Sequence, residues 1–227
     1  MDGLNILIID TSSPSLKLAL KINDKEHTVQ LDQHLKHIEN LLPQIDMAFQ
    51  EISKSPDELK YIAVCRGPGS FTGIRIGIST ALGLAYGPEI TCFGYSPFEV
   101  YEYLLSGEKE ALIVPVIDAK KNRFYTSFIS KHKDQGIEDL TKEEILSALQ
   151  KEGQDKKVIF CGKDYALIKE FMDENITSQW KYKEDYSPRD LLSYHLQLIK
   201  SGNSLDYPHP IYVRKSEAEI AYLKKLK

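Results

Sequence analysis

The stretch 67–77, with the sequence Gly-Pro-Gly-Ser-Phe-Thr-Gly-Ile-Arg-Ile-Gly, restricts the possible folds of this chain more than any other segment. It follows the apolar run Tyr61–Cys65, which predicts a buried strand, and it leads into a segment with helical spacing. Its first two glycines allow the chain to turn sharply off the strand. Ser70 or Thr72 can then cap the helix by accepting hydrogen bonds from its first free N–H groups. The sequence therefore predicts a strand, a tight turn and a helix in direct succession.

Small residues recur at every fourth position of this predicted helix, at Gly73, Gly77, Ala81 and Ala85. They share one helix face, so another backbone can approach closely. A glycine inside a helix costs about 1 kcal/mol relative to alanine, so the glycines need an explanation. Three explanations remain open: a phosphate site at the helix start, packing within the chain, or packing on a partner chain. Physical reasoning alone ranks packing within the chain first, and the lysine-bearing phosphate-loop pattern is missing from the sequence.

Four segments resemble one known family. The stretch 67–77 resembles the hallmark of the TsaB (YeaZ) family, which usually has Leu at the position of Ile74. The segment 37–43 is similar to the family's His-Ser-Glu-x-Leu-Leu-Pro, the segment 118–125 to its Asp-Ala-Arg region, and the segment 210–214 to its Pro-x-Tyr-Leu-Arg. Members of this bacterial family are needed to make threonylcarbamoyladenosine in tRNA. The resemblance extends over nearly the whole chain and is densest in residues 4–125.

Composition indicates a soluble globular protein. The chain has 227 residues, of which 42% are hydrophobic and 27% charged, enough for one large domain or two small ones. A formal net charge of −4 argues against a free-standing nucleic-acid binder. No apolar run approaches the ~20 residues of a membrane span, and the first residues do not resemble a signal peptide, so a cytoplasmic location without membrane contact is expected. The three cysteines lie in separate apolar runs and are expected to be reduced core residues.

The order of predicted elements repeats once along the chain. Strands are predicted at 4–9, 16–22, 28–31, 61–65, 89–93, 111–117, 124–129 and 157–161, and helices at 34–52, after 70, from 96, from 141, at 165–168 and at 191–200, with 173–186 irregular. Three strands followed by a helix, strand, helix, strand and helix make up one half of the actin-like fold. The prediction is an α/β protein with a duplicated actin-like (ribonuclease H-like) fold, whose halves are 1–107, bearing the interface helices, and the more divergent 108–227.

Each half begins with a strand that ends in an aspartate. Asp10-Thr11-Ser12 resembles a worn phosphate loop of the wider fold, although without the resemblance Asp10 would be assigned to a turn or cap. Asp118 is followed by Ala119, where active members of the fold have Asp-x-Gly so that the backbone can approach phosphate. The resemblance therefore implies degenerate loops, an inactive nucleotide cleft and no cofactor in the isolated chain. The lysines that follow Ala119 fit a solvated turn and a tRNA- or partner-facing patch equally well.

Two histidines, His34 and His37, would lie on one helix face, but no third ligand is near them in the sequence and the HExxH pattern is missing. No metal site is therefore predicted. The HxxxH metal pattern of the related catalytic protein TsaD is not matched, because these histidines are one residue too close.

The resemblance implies a non-catalytic subunit rather than an enzyme. In the family, TsaB pairs with TsaD through the first two long helices of each protein, the ATPase TsaE joins them, and TsaB forms homodimers through the same surface when TsaD is absent. Contact with tRNA would occur only through the complex. The predicted interface residues are His37, Leu41, Ser70, Thr72, Gly73, Ile74, Gly77, Ile78 and Ala81. A Gly77→Leu change is expected to abolish pairing and leave the monomer folded.

Three alternatives stay open. The chain could be an active actin-like ATPase or kinase that uses Asp10 and Asp118, although Ala119 disfavours it. It could be a metallopeptidase, which the missing ligand set disfavours, or a homodimeric tRNA-binding module, which the acidic balance disfavours.

Overall fold

The structure is a computed structural model that describes residues 4–32, 37–87, 89–130, 133–134, 136–152, 156–176 and 180–214; it does not describe the side chains of residues 37, 133, 134 and 152. The strands are β1 (Ile6–Asp10), β2 (Leu16–Ile22), β3 (Lys25–Leu31), β4 (Tyr61–Cys65), β5 (Thr91–Tyr95), β6 (Ala111–Asp118), β7 (Phe124–Thr126), β8 (Ile129–Ser130), β9 (Lys133–Asp134), β10 (Glu138–Leu140), β11 (Lys157–Cys161) and β12 (Trp180–Lys183). The α-helices are α1 (His37–Ile52), α2 (Phe71–Ala85), α3 (Pro97–Leu104), α4 (Lys142–Glu152), α5 (Lys169–Asn175) and α6 (Pro188–Lys200). None of the helices in these ranges has the length and apolar character needed to cross a membrane.

The first sheet has the strand order β3-β2-β1-β4-β5. Strand β1 pairs antiparallel with β2 and parallel with β4, and it is buried along its whole length because helices cover both faces of the sheet. Leu7 and Ile9 point to the side of α1 and α2, whereas Ile6 and Ile8 point to the side of α3 and α6. This double coverage explains the continuous apolar run of β1, which is typical of a central strand.

The second sheet repeats this arrangement. Its main path is β10-β7-β6-β11-β12, in which β6 pairs antiparallel with β7 and parallel with β11, just as β1 pairs with β2 and β4. The small strands β8 and β9 lie off this path. The predicted duplication is therefore present in the sheet topology, and the predicted boundary at 107/108 falls in the connection between α3 and β6.

One apolar core connects the two sheets. It contains Ile6 and Phe93 from the first sheet, Ile113 and Ile159 from the second, and Leu191 from α6. All are nearly inaccessible to solvent. Two further cores lie on the outer sides, one under α1 and α2 and one under α4 and α5. The two sheets thus share one core, and each has a further core of its own.

Some predicted elements differ in position. Strand β5 lies two residues later than predicted, and the predicted strand 124–129 is interrupted, giving β7 and β8. Strand β12 lies inside the segment that was predicted to be irregular. The predicted start of the first helix, His34, lies outside the described residues.

Candidate functional site

The glycine stretch packs against the loop that follows β1. The Ser70 N–H donates to the Ser12 carbonyl at 2.6 Å, and the Thr11 hydroxyl donates to the Gly73 carbonyl at 2.7 Å. A Cβ atom at Gly73 would collide with the Thr11 carbonyl oxygen, and one at Gly77 would lie 2.5 Å from Thr11 Oγ1. These two helix glycines are therefore explained by contacts within the chain, which was the explanation that physical reasoning ranked first.

Most of the predicted interface residues are not on the surface. Leu41, Gly73, Ile74, Gly77, Ile78 and Ala81, which were predicted to touch a partner, are buried within the single chain, against the first sheet and the loop after β1. Only Ser70 and Thr72 of the predicted set are exposed, and the side chain of His37 lies outside the described part. The expected outcome for Gly77→Leu changes as well, because the new side chain would disturb the monomer itself. Ser70, not Thr72, caps α2, accepting from the Gly73 N–H at 3.2 Å.

A cleft of about 700 Å³ opens between the two halves. Its walls combine the loop after β1, the glycine turn before α2, the loop after β6 and the segment before α6. The lining residues with acidic or basic side chains are Lys17, Asp118, Lys120, Lys163, Asp164 and Asp185. The cleft therefore lies where the two predicted loops, Asp10-Thr11-Ser12 and Asp118-Ala119, approach each other.

The carboxylate of Asp10 is fully enclosed. One oxygen accepts hydrogen bonds from the Ser12 N–H at 2.9 Å and the Ser12 hydroxyl at 2.7 Å, and the other accepts from the Tyr186 hydroxyl at 2.6 Å. Asp10 has no solvent-accessible surface. Burial, followed by the nearby Asp10 charge, raises the pKa of Tyr186 well above its usual value, so the phenol stays protonated and keeps donating. Asp10 therefore acts as a structural acceptor that ties the two halves together.

A buried ion pair lies beside Asp10. Lys17 is only 1% exposed, and its ammonium group is 2.7 Å from Asp185, which also accepts from the Tyr101 hydroxyl at 2.7 Å. Burial alone would lower the pKa of Lys17, but Asp10 and Asp185 outweigh it and raise the pKa above the ordinary lysine value. The ion pair of Lys17 and Asp185 was not predicted from the sequence, because a lysine in an alternating strand normally faces water.

The second predicted loop is also closed on itself. Both oxygens of Asp118 are bound by Lys120, one by its backbone N–H at 2.7 Å and one by its ammonium group at 2.6 Å. The Asp118 N–H donates to Asp164 at 2.8 Å, and burial, opposed by this bond, raises the pKa of Asp164. Lys120, Lys121 and Asn122 all have left-handed backbone angles, with φ between 57° and 63°.

These loops do not fit a magnesium–nucleotide complex. A phosphate or cation site at the two aspartates would need free carboxylate oxygens and a glycine that admits the phosphate. Asp10 has both oxygens occupied by protein donors, Asp118 is bound by Lys120, and Ala119 carries a Cβ atom. Within the described ranges, no group of three or more His, Cys, Asp or Glu residues could hold a metal ion.

The segment 206–214, here called the C-terminal strap, runs from the first half to the second. Its start pairs with β5, where the Gly94 N–H donates to the Asp206 carbonyl at 2.8 Å, and its middle pairs with the glycine turn through Ile211 N–H and the Arg66 carbonyl at 2.8 Å. Its end reaches the second half, where Arg214 binds both carboxylate oxygens of Asp139 at 2.8 and 3.0 Å. The motif 210–214 thus joins the two halves.

The outward sides of α1 and α2 carry apolar and small residues. Ile38 is 70% exposed and Leu42 56% exposed on α1, and Tyr86 at the end of α2 is 89% exposed. Gly83 differs from the other two helix glycines, because a Cβ atom there would meet no described atom within 4 Å. Its cost in helix stability is therefore not offset by any contact that the structure describes.

The chain is similar to one protein family over most of its length. The family model for TsaD, tRNA N6-adenosine threonylcarbamoyltransferase, matches residues 32–222. The tRNA threonylcarbamoyladenosine biosynthesis protein TsaB of Bacillus subtilis is 27% identical, over 99% of this chain and 100% of that protein. The TsaB of Haemophilus influenzae is 28% identical, over 78% of this chain and 79% of that protein.

Solved structures support the fold. A Pseudomonas aeruginosa protein with similarity to peptidase YeaZ has a TM-score of 0.73 at 21% identity, covering 94% of this chain and 100% of that chain. YeaZ from Pseudomonas aeruginosa has a TM-score of 0.70 at 20% identity, covering 93% and 100%. The predicted duplicated actin-like fold is confirmed. Because the family model matches most of its length, and because relatives named TsaB and structures named YeaZ match most of the chain, the chain belongs to the TsaD family and, within it, to the TsaB (YeaZ) group.

Proposed function

We propose that this chain is a non-catalytic subunit in the formation of N6-threonylcarbamoyladenosine in tRNA, at the adenosine next to the anticodon. It acts by pairing with the catalytic protein TsaD. Family membership supports the pathway, since relatives that match most of the chain are named as tRNA threonylcarbamoyladenosine biosynthesis proteins. The closed state of both aspartate loops supports a role other than nucleotide chemistry.

The observation that carries the proposal is the surface formed by α1 and α2. Both helices lie on the same face of the first sheet and pack against each other. Exposed apolar residues on α1 and an unexplained glycine on α2 are what a closely packed helix of another protein requires. A residue without a side chain lets the partner backbone approach, so the cost of Gly83 would be offset only in the complex.

The proposed assembly follows from one shared surface. TsaD occupies α1 and α2 in the working complex, the ATPase TsaE joins that complex, and a second copy of this chain occupies the same surface when TsaD is absent. The complex acts in the cytoplasm, and contact with tRNA occurs only in the complex. A formal net charge of −4 agrees with this, because an acidic chain is not expected to bind tRNA by itself. In this proposal the chain has two halves, 1–107 and 108–227, and the first half carries the partner surface.

The test uses two glycines with open surroundings. Gly83→Leu places a large side chain on the proposed surface, and Gly107→Leu places the same side chain at another site where a Cβ atom meets no described atom within 4 Å. Both variants should stay folded. We expect Gly83→Leu to lose co-elution with TsaD in gel filtration and to lose modification activity in the reconstituted system, whereas Gly107→Leu keeps both. An intact complex with Gly83→Leu would refute the assigned surface.

The ATPase alternative has its own test. Calorimetry of the isolated chain with magnesium–ATP should show no tight binding, since Asp10 and Asp118 are both engaged by protein donors. Tight binding followed by hydrolysis would favour the enzyme over the subunit.

A further inference from the structure

Arg75 lies on the exposed side of α2 and contacts two aromatic rings, Phe71 and Tyr212, whose centres are themselves 5.1 Å apart. Its guanidinium carbon is 3.8 Å from the centre of the Phe71 ring and 5.8 Å from that of the Tyr212 ring. Its Nε donates a hydrogen bond to the Tyr212 hydroxyl at 3.0 Å. Both rings remain partly exposed, Phe71 at 41% and Tyr212 at 46%. The three side chains form a compact group, called here the Arg75 clamp.

The charge of Arg75 is not neutralised by any residue in the described part of the chain. Arg66, Arg123 and Arg214 each make ion pairs with carboxylates. Arg75, in contrast, has only the two rings and one hydroxyl as partners among the described residues, and no hydrogen bond there uses its terminal nitrogens. Its planar group can therefore still donate two parallel hydrogen bonds.

The clamp is fixed in advance by the C-terminal strap. Tyr212 comes from a position 137 residues away and is placed by its neighbours Ile211, bonded to the Arg66 carbonyl, and Arg214, bonded to Asp139. An arginine that is already stacked and bonded loses less conformational freedom when a ligand binds. Such arginines, next to aromatic rings, are typical of the residues that dominate protein interfaces.

We propose that the Arg75 clamp binds a carboxylate group on the protein partner that covers α1 and α2. This inference rests on the proposed function and adds the polar anchor of that surface. Thr72, Arg75, Ser79 and Gly83 lie along one exposed stripe of α2, each three or four residues after the previous one. The small residues along this stripe suit a packed protein helix, and a formal net charge of −4 disfavours an approaching polyanion, so a protein carboxylate is favoured over an RNA phosphate.

The test measures the affinity for purified TsaD by calorimetry. Arg75→Ala should weaken binding about 30-fold or more, as expected for a central arginine. Arg75→Lys should also weaken it strongly, because lysine keeps the charge but lacks the planar fork and the stacking. Tyr212→Phe keeps the ring, removes the bond to Nε, and should cause a smaller loss. The matched control is Arg189→Ala on α6, which packs on the opposite face of the first sheet and should bind within about twofold of the unmodified chain.

Three results would overturn the inference. Wild-type affinity for TsaD in both Arg75 variants would refute the carboxylate contact. If Gly83→Leu still blocked pairing in that case, the proposed function would stand although the Arg75 clamp has no part in it. If the Arg75 variants and Gly83→Leu each paired with TsaD as tightly as the unmodified chain, the proposed surface would be refuted as well. Unchanged TsaD affinity with weaker, less salt-sensitive tRNA binding by the Arg75→Ala complex would assign the clamp to an RNA phosphate instead. Melting curves of each variant establish that the monomer is folded.

Discussion

Replacing two glycines of the same helix by alanine should change stability in opposite directions. Both Gly73 and Gly83 lie in α2, and alanine should stabilise a helix by about 1 kcal/mol at either position. At Gly83 the new methyl group would meet no described atom within 4 Å, so this gain should be realised in full. At Gly73 the methyl group would collide with the backbone carbonyl of Thr11, which cannot move aside as a flexible side chain could.

The size of the effect at Gly73 follows from three contributions. Helix propensity favours alanine by about 1 kcal/mol, overpacking costs about 1–3 kcal/mol, and weakening of the hydrogen bond between the Thr11 hydroxyl and the Gly73 carbonyl costs about 1 kcal/mol. The net loss is about 1–3 kcal/mol. The two variants should therefore differ by about 2–4 kcal/mol, or roughly 4–16 °C in melting temperature for a chain of this size.

The measurement is chemical denaturation of the two variants and the unmodified chain, with a check that the denaturant dependence is the same for all three. Stabilisation by Gly83→Ala together with destabilisation by Gly73→Ala would support the packing of α2 on the loop after β1. Equal stabilisation by both changes would refute it, because no close contact would then exist at Gly73.

Further predictions concern buried charges and the strap. Burial lowers the pKa of His195 to about 4, against about 6.5 in the unfolded chain, so its contribution to stability is complete above pH 6.5 and falls by about 3 kcal/mol as the pH drops to 4. Denaturation of His195→Phe at several pH values should show a flatter profile in this window, and an unchanged slope would contradict the assignment. Lys17→Met should cost about 3 kcal/mol, since it leaves Asp185 without its buried counter-charge, and a stability equal to that of the unmodified chain would show that the pair is not needed. Arg214→Ala should release the end of the strap, so that the amide of Ile211 exchanges its hydrogen about tenfold faster, whereas unchanged exchange would mean that the strap does not depend on this arginine.

Local sequence signals predicted the elements well where the physical cause is itself local. Ser96 was predicted to start a helix; its hydroxyl accepts from the Phe98 N–H at 3.2 Å, and its own N–H donates to the Glu99 carboxylate at 3.2 Å. The strand and turn before α2 and the repeated order of elements were also evident from spacing and composition. These features depend on neighbours within a few residues.

Features that depend on distant contacts could not be predicted in the same way. Lys17 alternates with leucines in β2, a pattern that normally indicates a solvent-facing lysine, but α6 covers that face and Asp185 lies 168 residues away. Strand β12 is only four residues long and contains two lysines, so its signal is weak without its neighbour β11. The glycines of α2 indicated a close contact, but the sequence could not show that Thr11 makes it at Gly73 and Gly77.

The core shared by the two sheets has a mechanical consequence. In a two-part protein that closes around its ligand, each part must rotate as a unit while the surface between them slides or opens. Here Ile6, Phe93, Ile113 and Leu191 interlock in that surface, and opening it would expose apolar side chains to water. The molecule should therefore behave as one rigid body rather than as two domains that open and close. Its effect on a bound protein would then come from the fixed shape of its surface and not from a domain movement.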